Sequence, residues 1–174
     1  MPDKRGNVSR KRRQKGIQSF ADVSMSQVLG LLEAIDEVGG SADVATIAQE
    51  VDMNVGSLGP VVDAAEFLGL VSIHEGDIMI TDLGKKLHVA TPTERKTIVR
   101  DIIDDVPVFR QVMDMARSAG EPLTREEIID VLSTLVGSHQ AVGVFNALVY
   151  WGRYAKLVYY DSQAESLSFS SLKR

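Results

Sequence analysis

Three histidines, two adjacent aspartates and a cluster of cations are the residues among these 174 whose chemistry could act on a second molecule. His74, His88 and His139 stand far apart in the chain, with no HExxH spacing and no carboxylate at ligand spacing. That pattern fits surface or half-buried imidazoles better than a zinc site or a general base. Asp104 and Asp105 fall on an expected helix, where consecutive side chains point about 100° apart, so they read as solvated charge at a helix end and not as an acid/base pair. Neither GxxxxGKS/T nor GxGxxG occurs, and the backbone cradle for nucleotide phosphates is missing with them. There is no cysteine, hence no thiolate metal site and no disulfide framework. The sequence therefore predicts no catalytic, cofactor-binding or metal-binding residue, and no enzyme.

The cations are unevenly placed. Residues 1–16 hold seven, Lys4, Arg5, Arg10, Lys11, Arg12, Arg13 and Lys15, against one acidic residue, whereas residues 17–174 hold twelve against twenty-three. The overall charge of −5 thus conceals a +6 arm and a −11 body. The seven arm residues are the candidate nucleic-acid contacts, giving sequence-independent, salt-sensitive attraction to phosphates. The competing reading is a solubilising terminus without a specific partner, since no aromatic residue is interleaved for base stacking before Phe20. Apolar runs are broken well before the roughly 18 residues a membrane span needs, and no apolar h-region follows the basic start. The expected compartment is the cytoplasm.

The elements that must position these groups follow from periodicity. Residues 1–20 read as a basic disordered arm with almost nothing to bury. Ser24-x-x-Gln27 is a capping box ahead of Met25, Val28, Leu29, Leu32 and Ile35 at helical spacing, and Gly39-Gly40 ends that helix. Ser41 is expected to open a second short helix, and a third begins near Ser57, because Pro60 is cheap only in a helix's first turn. Residues 69–73 and 78–80 form a hairpin about Glu75-Gly76-Asp77, and Thr81 caps a further helix. The plan then repeats. Thr91-Pro92-Thr93-Glu94 and Thr124-Arg125-Glu126-Glu127 are capping boxes, Pro107 starts a helix ending at Gly120, Ser138 opens the longest helix, and residues 157–160 and 166–170 close a hairpin. The expected fold is mostly α with short β-hairpins (α+β), a tandem winged helix-turn-helix with domains at 21–90 and 91–174.

Charge argues against duplex reading by these units. A reading helix places its N-terminal residues at base edges with Lys or Arg nearby for phosphates. The first candidate, 57–67, has neither and carries Asp63 and Glu66, and its wing carries Glu75 and Asp77. The second, 138–156, has Arg153 and Lys156 at its C-terminal end alone. Lys85, Lys86, Arg95, Lys96 and Arg100 make a local basic stretch outside both. Arg153, Tyr154 and Lys156 are the candidate partner contacts, since Arg and Tyr carry disproportionate binding energy. Trp151 continues the Phe145, Leu148 inward stripe and reads as core, with Gly152 allowing close packing of helix on wing.

The segment Ala147-Leu148-Val149-Tyr150-Trp151-Gly152-Arg153-Tyr154-Ala155-Lys156-Leu157, followed by Tyr159-Tyr160-Asp161 and Ser166-Leu167-Ser168, resembles the end of the AAA-associated C-terminal domain. The likeness extends to Ser26-Gln27-Val28, Leu58-x-Pro60-Val61-Val62, Leu68-Gly69-Leu70, the Glu75-Gly76-Asp77-Ile78 turn and Thr81-x-x-Gly84-Lys85-Lys86, about residues 25–171 in all. That domain occurs behind the ATPase subunit of nitrate/sulfonate/bicarbonate-type ABC transporters and as a free-standing protein. The resemblance implies a regulatory or adaptor module whose protein partner is a transporter ATPase. The alternatives are a DNA-binding transcriptional regulator acting as a homodimer, and a nucleic-acid or ribosome-associated factor held by its arm.

Overall fold

The computed structural model describes residues 16, 17 and 19–170. The arm's candidate contacts, Lys4, Arg5, Arg10, Lys11, Arg12, Arg13 and Lys15, lie outside the described residues. The chain divides into two compact units at Ala90/Thr91. The first contains α1 (Met25–Glu37), β1 (Ser41–Asp43), α2 (Val44–Glu50), α3 (Val55–Phe67), β2 (Val71–His74), β3 (Asp77–Ile80) and α4 (Asp82–Val89). The second contains α5 (Pro92–Asp104), α6 (Pro107–Ala119), β4 (Leu123–Thr124), α7 (Arg125–Val136), α8 (Ser138–Tyr154), β5 (Val158–Asp161) and β6 (Ser166–Phe169). Helices dominate and all strand pairs are antiparallel, so the fold is mostly-α α+β.

The units share a topology. In each, a helix leads into a very short strand, two helices follow, and a hairpin returns so that its second strand lies in the middle of a three-stranded sheet, order β1-β3-β2 in one and β4-β6-β5 in the other. The first strands β1 and β4 correct the expected plan of hairpins alone. Ser41 does not open a helix: Gly39 and Gly40, at φ 98° and 94°, turn the chain so that Ser41 faces Met79 and Ile80 N–H donates to the Gly40 carbonyl. The cap passes to Asp43, whose Oδ1 accepts from Ala45 and Thr46 N–H at 2.9 and 3.0 Å.

Two further expectations are corrected. α3 starts at Val55 behind Asn54, whose Oδ1 accepts from Ser57 N–H at 2.8 Å, so Pro60 is interior. The residue before it is Gly59, which has no Cβ to meet the proline ring, and the carbonyl left without its donor belongs to exposed Gly56 and is open to water. Phe20, counted in the arm, is 1% exposed and packs on Phe67 with ring centroids 5.5 Å apart. Residues 19–22 are helical, and the first unit's core begins there.

Capping residues otherwise set the elements as read. Ser24, Thr91 and Thr124 each form both halves of a capping box, and Thr81 accepts from Gly84 N–H while donating to the Gly69 carbonyl. Leu32, Ile35, Ile47, Leu58, Ile78 and Leu87 fill the first core, and Phe109, Val112, Ile128, Leu132, Leu148 and Trp151 the second. Among the described residues no polar or charged side chain is buried.

Candidate functional site

Asp104, Asp105 and His88 each have a charged neighbour. Asp105 accepts from the Arg110 guanidinium at 2.8 Å and Asp104 lies 3.7 Å from Arg117, so both aspartates are solvated partners of arginine at the α5 end. His88 lies 3.8 Å from Asp36. Among the described residues no group of three metal-ligating side chains comes together. Arg100 does not join an exposed basic stretch: its Nε and Nη2 donate to the Ala155 carbonyl at 3.2 and 3.1 Å, and Nη2 to Lys156 O at 3.0 Å. There it satisfies carbonyls at the C-terminus of α8, where a cation also complements the helix dipole.

That C-terminus closes the most distinctive surface of the second unit. α8 follows Gly137, at φ 91°, without a side-chain cap, and turns Ala141, Val144, Phe145, Leu148, Trp151 and Gly152 inward. Trp151 is fully buried, as its stripe predicts. A Cβ on Gly152 would lie 2.7 Å from Val158 Cγ2, so glycine is what lets β5 approach the helix. The helix ends in a Schellman turn, with Leu157 N–H donating to Gly152 O and Lys156 N–H to Arg153 O. Lys156 therefore sits at φ 55°, where the first unit, at the same turn after α3, has Gly69 at φ 73°.

Beside this junction lies a groove of about 620 Å³, lined by Arg125, Phe145, Asn146, Val149, Tyr150, Arg153, Tyr154 and Tyr160. Phe145 is its floor at 3% exposure. The Arg125 guanidinium lies 5.5 Å from the Phe145 ring centre, and Tyr160 meets the same ring edge-on at 5.8 Å. Tyr150 stands edge-on to Trp151 at 5.4 Å. Burial holds the Tyr154 hydroxyl above its ordinary pKa, partly offset by the positive charge of Arg95, so this wall stays a neutral donor at physiological pH. No lining residue is acidic.

Of the three expected contact residues, Arg153 is exposed and Tyr154 half-buried, and both line the groove. Lys156 is exposed at the turn but is not among the lining residues. Asn146, Val149 and Tyr150 are lining residues outside the expected set, although steps of three and four residues from Asn146 to Val149 and Tyr150, and from these to Arg153, mark one helix face. Arg125 and Tyr160 come from α7 and β5 and leave no local trace.

The sequence profile of the family described as "C-terminal AAA-associated domain" matches residues 45–161, about two thirds of the chain. The chain belongs to that family. No curated protein and no solved structure matches it. Membership ties the chain to ATPases of the AAA/ABC kind in general, and the family's domain is an accessory one rather than a catalytic one. The AAA-associated match spans every groove residue and none of the basic arm. No described helix is long and apolar enough to cross a membrane.

Proposed function

We propose that this AAA-associated chain is a non-enzymatic regulatory or adaptor protein, built as two winged-helix units and acting by protein contact on an ABC-transporter-like ATPase in the cytoplasm. The observation that carries this reading is the charge of the helices that would otherwise read a duplex. α3 has no Lys or Arg and bears Asp63 and Glu66, and the following turn bears Glu75 and Asp77. A polyanion would meet like charge on this face, whereas a protein surface need not. On α8 exposed Tyr150 and half-buried Tyr154 stand beside exposed Arg153, residue types favoured at protein interfaces. Affinity purification of the full chain from its native host, with nuclease present, is the test. An AAA or ABC ATPase should be recovered repeatedly, and its consistent absence would overturn the proposal.

A second reading rests on the +6 charge of residues 1–16. A nucleic-acid-bound regulator or ribosome-associated factor, or a homodimer on duplex DNA, would depend on that arm. Its affinity would fall steeply with added salt and disappear on deletion of residues 1–16.

A further inference from the structure

The two arginines that border the groove differ from Arg100, Arg110 and Arg117. Arg100, Arg110 and Arg117 each donate to a carbonyl or a carboxylate. Among the described residues Arg125 and Arg153 form no ion pair and no side-chain hydrogen bond, although residues 17–174 carry twenty-three acidic side chains. In a body of charge −11, two guanidiniums with no carboxylate partner among the described residues, beside a recess whose lining holds no carboxylate, form a local inversion of sign. Arginine presents a rigid planar fork that suits carboxylate bidentately, and its weak hydration makes it the cation least costly to desolvate at an interface.

The dimensions define what fits. Phe145 and Arg153 are eight residues apart on α8, about 12 Å along the axis. An extended peptide covers that length in about four residues. Arg125 stands over Phe145 at one end and Arg153 marks the other, with Val149 between them along the helix and Tyr154 next to Arg153. The geometry points to a docking site for a short acidic peptide segment of the partner, with two carboxylates three or four residues apart and an aromatic or branched apolar side chain between them. The carboxylates pair with Arg125 and Arg153, and the apolar side chain lies against Val149, Tyr154 and Tyr160. This rests on the protein-contact reading above and assigns it a place.

Aromatic rings beside arginines also suit single-stranded nucleic acid, but the arrangement disfavours it. Base stacking needs an open ring face. The Phe145 ring is already occupied by Arg125 and by the Tyr160 edge. A polynucleotide would also carry its charge onward over an acidic body, whereas an acidic peptide confines its charge to the groove.

The test pans a phage-displayed random peptide library on the immobilised full chain and measures the enriched peptides by fluorescence anisotropy. Enriched sequences should carry the two spaced carboxylates with the apolar anchor. Arg125→Glu and Arg153→Glu should each weaken binding by about tenfold or more, while Lys85→Glu, an exposed lysine of the first unit, changes it less than about twofold. Arg153→Lys, which keeps charge but loses the fork, should fall between these. Trp151 fluorescence verifies that the second unit is folded in each of its variants and circular dichroism does so for Lys85→Glu, and should Arg125→Glu fail to fold, the two Arg153 variants decide. Enrichment of basic or neutral peptides, no enrichment, affinity indifferent to charge reversal at Arg153, or displacement of the peptide by an oligothymidylate strand at lower concentration would each overturn the proposal. Failure here with an ATPase still recovered from cells would remove the groove and leave the function standing. Recovery of no ATPase with the peptide result intact would do the reverse.

Discussion

Replacing Gly152 by alanine tests the helix-to-strand junction on which the groove is built. The added Cβ would lie 2.7 Å from Val158 Cγ2 and 3.1 Å from Cγ1, against about 3.5–4.0 Å for a relaxed carbon contact. Close to 1 Å has to be found. Val158 is 7% exposed, is paired to Phe169 in the sheet, and has a β-branched side chain with little rotamer freedom to yield. The cost then falls in the upper half of the 1–3 kcal/mol range for overpacking, about 2–3 kcal/mol. Alanine returns about 1 kcal/mol of helix propensity, leaving a net loss of about 1–2 kcal/mol. At roughly 4–8 °C per kcal/mol for a unit of this size, melting should drop by about 4–16 °C. Trp151 is the chain's one tryptophan and is fully buried in the second unit, so its fluorescence follows that unit selectively. Val158→Ala alone costs stability by leaving a void, but it also clears the space that the new methyl needs. The double variant should therefore be more stable than the two single losses summed, with a coupling of about 1–2 kcal/mol. Wild-type melting for Gly152→Ala, or strict additivity in the double variant, would refute this packing argument.

Four other outcomes follow from the same reasoning. At Gly84 an added Cβ would press on the Leu70 carbonyl oxygen, which accepts from Thr81 N–H, so Gly84→Ala should cost about 2–4 kcal/mol by urea denaturation, and trimming Ile80 should not rescue it. Lys156→Gly relieves a left-handed backbone on a residue with a Cβ and should raise the second unit's stability by up to about 1 kcal/mol; unchanged melting would deny strain at this turn. Phe20→Ala should cost about 3–5 kcal/mol, and a neutral result would return Phe20 to the arm. The carboxylates of Asp43, Glu94 and Glu127 are held below their ordinary pKa first by the backbone N–H of Thr46, Thr91 and Thr124 and then by the hydroxyls of those threonines. The native state thus binds fewer protons than the unfolded one, so this stabilisation is complete above about pH 5 and is lost as pH falls through about 4 and below. Replacing Glu94 and Glu127 by glutamine should flatten the acid limb of a melting-temperature profile.

Helix starts were legible because capping chemistry is local: Ser24, Thr81, Thr91 and Thr124 announce themselves within three residues. The strands β1 and β4, three and two residues long, were not, because a period of two cannot show in so short a run and their partners lie about 40 residues away. Pro60 misplaced a helix start because the rule for interior proline takes no account of a preceding glycine and a solvent-facing carbonyl. Of the groove lining, Arg153 and Tyr154 were singled out by residue type and helix position. Arg125 and Tyr160 were not, since it is the packing of α7 and β5 against α8 that brings them to Phe145.

The central claim is that this chain works by holding an ATPase. Its most direct test is sedimentation of the full-length chain with the purified ATPase recovered by affinity purification, across a range of ratios and with nuclease present. The account predicts a saturable complex of fixed stoichiometry that nuclease does not dissolve. Independent sedimentation of the two proteins at every ratio, or a complex that disappears with the nucleic acid, would contradict it.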